Sequence, residues 1–219
     1  MTRTLALPLS VAPHQRLVLA VCAALVLIVG SVGPASAHFL GGRWPWSGGG
    51  SVLWLSYRND AGAFPAYAAA FNHARSAWYN TPTPAAPHSV TGSAKIVANT
   101  VNDSGSSYWG VARIYERHCA FLICWDSQIE YKSCTAPCAG DTYHRATITL
   151  NRATLAGQSD LIRRKVATHE LGHAFGLGHT ACSSIMRQGS VSFDTPRPHD
   201  NYDMNQRYPG TIWSSPSAC

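Results

Sequence analysis

His169, Glu170, His173 and His179 are residues whose types and spacing amount to a chemical device. Histidines four apart on a helix lie one turn apart on the same face, so both imidazoles can grip one ion. Glu170 projects to the side of that pair and can reach a metal-bound water without being a ligand. Three neutral nitrogens leave one position of a zinc ion open, which is the arrangement of a hydrolytic site. A straight helix would carry His179 about 15 Å along the axis from His169, out of reach. The helix must therefore stop and the chain turn back. Gly176 can adopt the conformation that turn requires, and Gly178 adds freedom. A His-Glu-x-x-His string alone arises by chance in many chains. The third histidine and the hinge glycine together favour the metal reading.

The elements that position these residues are readable from periodicity. Ser159 is placed to cap a helix, with Asp160 in its first turn and Ile162 and Val166 carrying a helical period into the histidines. Residues 63–79 are alanine-rich, with Tyr67, Ala70, Phe71, Ala74 and Trp78 at helical spacing. Pro65 fits only near the start of that helix, and the Thr-Pro repeat at 81–84 ends it. Strands are expected over 51–58, 95–101, 108–115 and 146–151, with a further short one over 128–131. The 146–151 segment sets Ala146, Ile148 and Leu150 against three polar residues, the pattern of a strand with one face open to solvent or ligand. A short helix fits 198–208, with Asp200, Met204 and Tyr208 on one face. No repeat and no second domain is apparent.

The 219 residues suffice for one domain with a core, and 46% hydrophobic with 13% charged residues is a globular composition. Arg3 and Arg16, the apolar run Leu17–Gly30 and the small residues Ala35-Ser36-Ala37 have the form of a secretory signal over 1–37. A membrane anchor is the alternative, although the run is short for a bilayer. Residues 38–50 read as a Gly/aromatic lead-in, and 51–219 as the catalytic domain. The first 37 residues hold two of the 17 Lys+Arg and none of the 11 Asp+Glu, so the remainder carries +4. That gives no argument for nucleic acid. Six cysteines follow the signal: Cys119, Cys124, Cys134, Cys138, Cys182 and Cys219. An even number in an exported chain suits three disulfides, with Cys182–Cys219 one possible pair. A metal held by the four between Cys119 and Cys138 is the alternative, at looser spacings than a zinc ribbon.

The segment 169–179 resembles the long motif of the metzincin clan of metallopeptidases, HExxHxxGxxH, and is most similar to matrixin-type and small bacterial metzincin-like secreted proteases. The resemblance is specific over 169–186 and loose elsewhere. It implies an α+β zincin fold: a twisted mixed sheet, two long helices above the cleft, and a small irregular lower part ending in a helix. It also implies that Met186, in Ser183-Ser184-Ile185-Met186, forms a methionine turn beneath the metal without ligating it. An acidic residue of the Asp200–Tyr208 segment would brace that turn, and residues 146–151 would be the substrate-binding edge strand. Departures are visible too. Arg187 and Gln188 follow the methionine, so no tyrosine ligand is assigned. Residues 38–50 lack the inhibitory cysteine of matrixin pro-segments. No recognisable version of the matrixins' structural zinc and calcium loops is present. The third ligand is His179, where snapalysin-like enzymes use an aspartate.

The expected activity is that of a secreted, monomeric zinc endopeptidase acting on protein or peptide substrates, without membrane insertion after signal cleavage. His169, His173 and His179 would hold the metal, and Glu170 would be the general base. The rivals are a zinc-binding, non-catalytic adhesion or inhibitory module, and a zinc hydrolase of non-peptide substrates. His73 is expected on the solvent face of its helix. His88, His118, His144 and His199 have no spacing partner, with a substrate contact open only to His144. Most tryptophans read as core.

Overall fold

The computed structural model describes residues 39–45, 52–121, 123–129, 133–134 and 142–209, all in the unit Ser36–Cys219. The expected export signal lies outside the described residues. So does the suggested Cys182–Cys219 pair, because Cys219 does. Among the described residues no helix is long and apolar enough to cross a membrane.

The chain forms a mixed α/β arrangement. Its strands are β1 (Phe39–Leu40), β2 (Leu53–Asn59), β3 (Ala85–Ser89), β4 (Ile96–Val101), β5 (Gly110–Ala120), β6 (Ile123–Gln128), β7 (Ser133–Cys134) and β8 (Tyr143–Asn151). The helices are α1 (Pro65–Tyr79), α2 (Arg152–Leu155), α3 (Asp160–Ala174) and α4 (Pro198–Arg207). Six strands form one sheet in the order β3-β2-β4-β8-β5-β6. The β2–β3, β2–β4 and β4–β8 pairs are parallel, and β5 runs antiparallel to both neighbours.

Helix α3 begins as its sequence requires, with Ser159 Oγ accepting from the Ile162 N–H at 3.3 Å and Asp160 in the first turn. It packs against α1, which turns Ala70, Phe71, Ala74 and Trp78 inward. The Trp78 indole donates to the Thr168 carbonyl at 2.9 Å and meets Phe175 edge-on at 5.4 Å. This pins α3 at the turn that carries His169 and at its C-terminal end.

The 146–151 segment is not an edge strand. It belongs to β8, flanked by β4 and β5, and is buried on both faces. Two of its three polar residues are consumed inside the fold: Thr149 Oγ1 donates to Asn99 Oδ1 at 2.7 Å, and Asn151 caps α2 while donating to the Asp103 carbonyl. Alternation in β8 therefore reports internal hydrogen bonding rather than an open face. The segment facing the cleft is instead Gly110–Arg113 of β5. Among the described strands β6 pairs β5 only from Tyr115 to Ala120, so Gly110–Arg113 has β8 as its strand partner, and the Ala112 N–H is bonded to the Glu170 carboxylate.

Other boundaries also differ from expectation. Of the strand expected over 128–131, Gln128 is the last residue of β6, Ile129 lies outside it, and residues 130–131 lie outside the described residues. Cys119 and Cys124 face each other across the β5–β6 hairpin and form a disulfide, not a metal site. Strand β3 has no counterpart in the sequence reading. Its Pro87 is tolerated because β3 is an edge strand whose outer side has no ladder bond to lose. The Gly/aromatic segment packs into the core over its described part. Phe39, Leu40 and Trp44 are buried, and the Trp44 indole donates to the Ala174 carbonyl at 2.8 Å. Trp54, Trp109 and Trp125, by contrast, are exposed.

Candidate metal centre

The three histidines converge. His169 and His173 sit one turn apart on α3. The chain then leaves the helix at Phe175, and Gly176 takes φ +93°. The turn is tied on both sides: Gly176 N–H donates to the His173 carbonyl at 2.7 Å, and Leu40 N–H donates to the Gly176 carbonyl at 2.9 Å. A side chain at 176 would be strained by that φ and would strike the Arg207 guanidinium. His179 is thereby brought back so that its Nε2 lies 3.2 Å from His169 Nε2 and 3.1 Å from His173 Nε2.

The donor set fits a divalent cation. His169 Nδ1 lies 2.7 Å from the Ile185 carbonyl, and His173 Nδ1 lies 2.7 Å from the Leu177 carbonyl. A carbonyl only accepts, so both Nδ1 atoms carry the proton and both Nε2 atoms present lone pairs. One proton on His179 cannot satisfy two lone pairs at once. A tetrahedral ion with bonds of about 2.0–2.1 Å to nitrogen needs those nitrogens about 3.3 Å apart, close to what is found. Burial depresses the basicity of all three rings: His169 falls to about 4, and His173 and His179 fall below the ordinary imidazole value. Neutral imidazoles are the form that ligates.

Glu170 is buried beside the triad and lines the same cleft. Its carboxylate accepts from the Ala112 N–H of β5, yet burial outweighs that bond and raises its pKa to about 8. In metal-free protein this has a measurable sign. The unfolded carboxyl titrates near 4.5 and the folded one near 8, so Glu170 favours the fold below pH 4.5, and that contribution is lost as pH rises through 8. Urea unfolding of chelator-treated protein should show Glu170→Gln overtaking the wild type in stability between pH 5 and 8. Parallel curves would contradict the buried acid. The histidines act oppositely, costing stability as pH falls from 6.5 toward 4, but they are common to both proteins and cancel.

Beneath the metal position lies the loop Ser184–Met186. Asp200, at the first turn of α4, accepts from Ser184 Oγ, from Ile185 N–H at 2.9 Å, from Met186 N–H at 3.3 Å and from Arg197 N–H at 2.7 Å. This fixes the Ile185 carbonyl that orients His169. Met186 is fully buried against α3 at Gly172, where a Cβ would collide with its sulfur.

The structure thus brings together Glu170 and all three predicted ligands. His144 is not among the residues lining the cleft. His73 is half-buried, with its Nε2 3.1 Å from the Asp194 carbonyl. His199 is buried, with its ring 3.4 Å from Thr180 Oγ1 and from Asp203 Oδ2. Gly110, Ala112, Lys165 and Leu40 also line the cleft, and the sequence reading did not assign them to it. The glycine at the head of β5 was a possible signal, since a Cβ there would press on Val166 and Glu170. No protein-family model matches the chain, and no curated protein does.

Proposed function

We propose that this protein is a secreted zinc-dependent endopeptidase of metzincin type. The observation that carries the reading is the convergence of three histidine Nε2 atoms beside a buried glutamate, in a cleft lined by Gly110, Val111 and Ala112 of β5. The resemblance of 169–186 to the metzincin motif and the mixed sheet with two 15-residue helices are compatible with it.

His169, His173 and His179 would hold the zinc, whose Lewis acidity, when bound, lowers the pKa of a water and polarises a carbonyl. Glu170 takes up the proton released in the attack and delivers it to the leaving amine. A nearby dication pulls its carboxyl toward the charged form, which its buried position alone would resist. An extended peptide would lie alongside Gly110–Arg113, where no described strand pairs the outer side and the Ala112 N–H alone is held by Glu170, a mode suited to main-chain recognition. Peptides are therefore favoured over other hydrolysable substrates.

The test is cleavage-site profiling on a proteome-derived peptide mixture with the protein purified from culture fluid. Cleavage should disappear with chelator and return with zinc, and the secreted chain should begin at His38. Stoichiometric zinc without any cleavage would favour the non-catalytic module.

A further inference from the structure

Lys165 lies one turn before His169 on α3 and lines the same cleft, a cavity of about 650 Å³. It is only 8% exposed. Its surroundings on the cleft wall are Ile162, Val166 and Val191. An ammonium has three donors. The acceptor found for it is the Val191 carbonyl, at 3.4 Å, and among the described residues no carboxylate lies within ion-pair distance. Its neighbours Arg163 and Arg164 pair with Asp160 and Asp194, so the acids nearby are already engaged. A second cation, Arg187, stands at the rim, and the carboxylate among the lining residues is Glu170. Desolvation lowers the Lys165 pKa, as expected of a charge removed from water without a counter-ion.

A buried, unpaired cation is costly unless something brings it a partner. Among the described residues no acidic side chain does so, whereas Lys165 lines a cleft that a ligand can enter. We propose that Lys165 makes this cleft selective for peptides carrying aspartate or glutamate next to the scissile bond. The inference rests on the endopeptidase reading and narrows it to a substrate class. The ligand's carboxylate would take the two unused donors of the ammonium, a charge-assisted pair inside apolar walls.

The experiment compares matched peptides with Glu or Gln at each position flanking the cleaved bond, using zinc-loaded wild type, Lys165→Met and Lys165→Glu. Methionine keeps the unbranched stem and removes only the charge. At one flanking position the wild type should prefer Glu over Gln on the order of tenfold in kcat/KM. Lys165→Met should bring that ratio near unity, and Lys165→Glu should shift preference to Lys or Arg. Equal treatment of Glu and Gln by the wild type, or a preference that survives Lys165→Met, overturns the inference. Equilibrium binding of the same peptides to zinc-loaded Glu170→Ala protein gives the comparison without turnover. Failure to discriminate is then read separately from failure to cut.

Discussion

Glu170→Ala protein should bind one zinc per chain as the wild type does and lose peptide hydrolysis by about 100- to 10,000-fold. The two halves of that expectation come from different contacts. Zinc retention follows because the three Nε2 donors and the carbonyls of Ile185 and Leu177 that orient two of the rings do not involve Glu170. Loss of rate follows because Glu170 is the one carboxylate among the described residues lining the cleft. Its burial and its bond to Ala112 fix it in one place, so a solvent carboxylate is a poor substitute. Metal content by atomic absorption and kcat/KM on a fluorogenic peptide settle the matter together. Undiminished turnover with full zinc would remove Glu170 from the mechanism. His169→Ala is the complementary control, expected to lose tight zinc binding.

Gly176→Ala should destabilise the metal-free protein by about 3 kcal/mol and weaken zinc binding at the same time. Two costs combine at this position. The backbone sits at φ +93°, where an L side chain is strained, and the added methyl would come within 2.8 Å of Arg207 Cζ. Arg207 has little room to give, being buried with its Nη2 bonded to the Tyr143 hydroxyl at 3.2 Å. Relaxation would instead move the turn, and with it the Leu177 carbonyl that orients His173 and the path to His179. Urea denaturation and a competitive zinc titration read the two effects. A variant with wild-type zinc affinity would show that the turn tolerates the methyl and that the hinge argument is wrong.

The site was legible in the sequence to the extent that it is local. His169, His173 and the capped start of α3 follow from helical spacing, and His179 follows once Gly176 is allowed to turn the chain. Asp200 was within reach only through the metzincin resemblance, which implies an acidic brace in the Asp200–Tyr208 segment. Long-range pairing was not legible. The alternation in β8 looked like an exposed edge because polar residues bonded to Asn99 and Asp103 read the same as polar residues facing water. The cleft-facing segment, Gly110–Arg113, is defined by where β6 stops pairing, which is a property of another segment. Pro87 hid β3 behind a helix-ending signal. Lys165 belongs to the basic triplet Arg163-Arg164-Lys165, which by itself suggests a solvated helix face, and only its surroundings in the fold reveal that it lines the cleft.

The strap under the hinge has a consequence for timing. Trp44 N–H meets the Tyr208 hydroxyl, 164 positions away, and that hydroxyl donates to the Phe175 carbonyl at the end of α3. The Trp44 indole bridges 130 positions to Ala174. Contacts of such separation close late, after the entropy of a long loop has been overcome. A chain emerging N-terminus first would hold its histidine helix for some time before Tyr208 arrives to lock the turn from below. Assembly of the three-histidine cluster is thus tied to the synthesis of Tyr208, and a fragment ending before Tyr208 would carry all three histidines yet lack the clamp that gathers them.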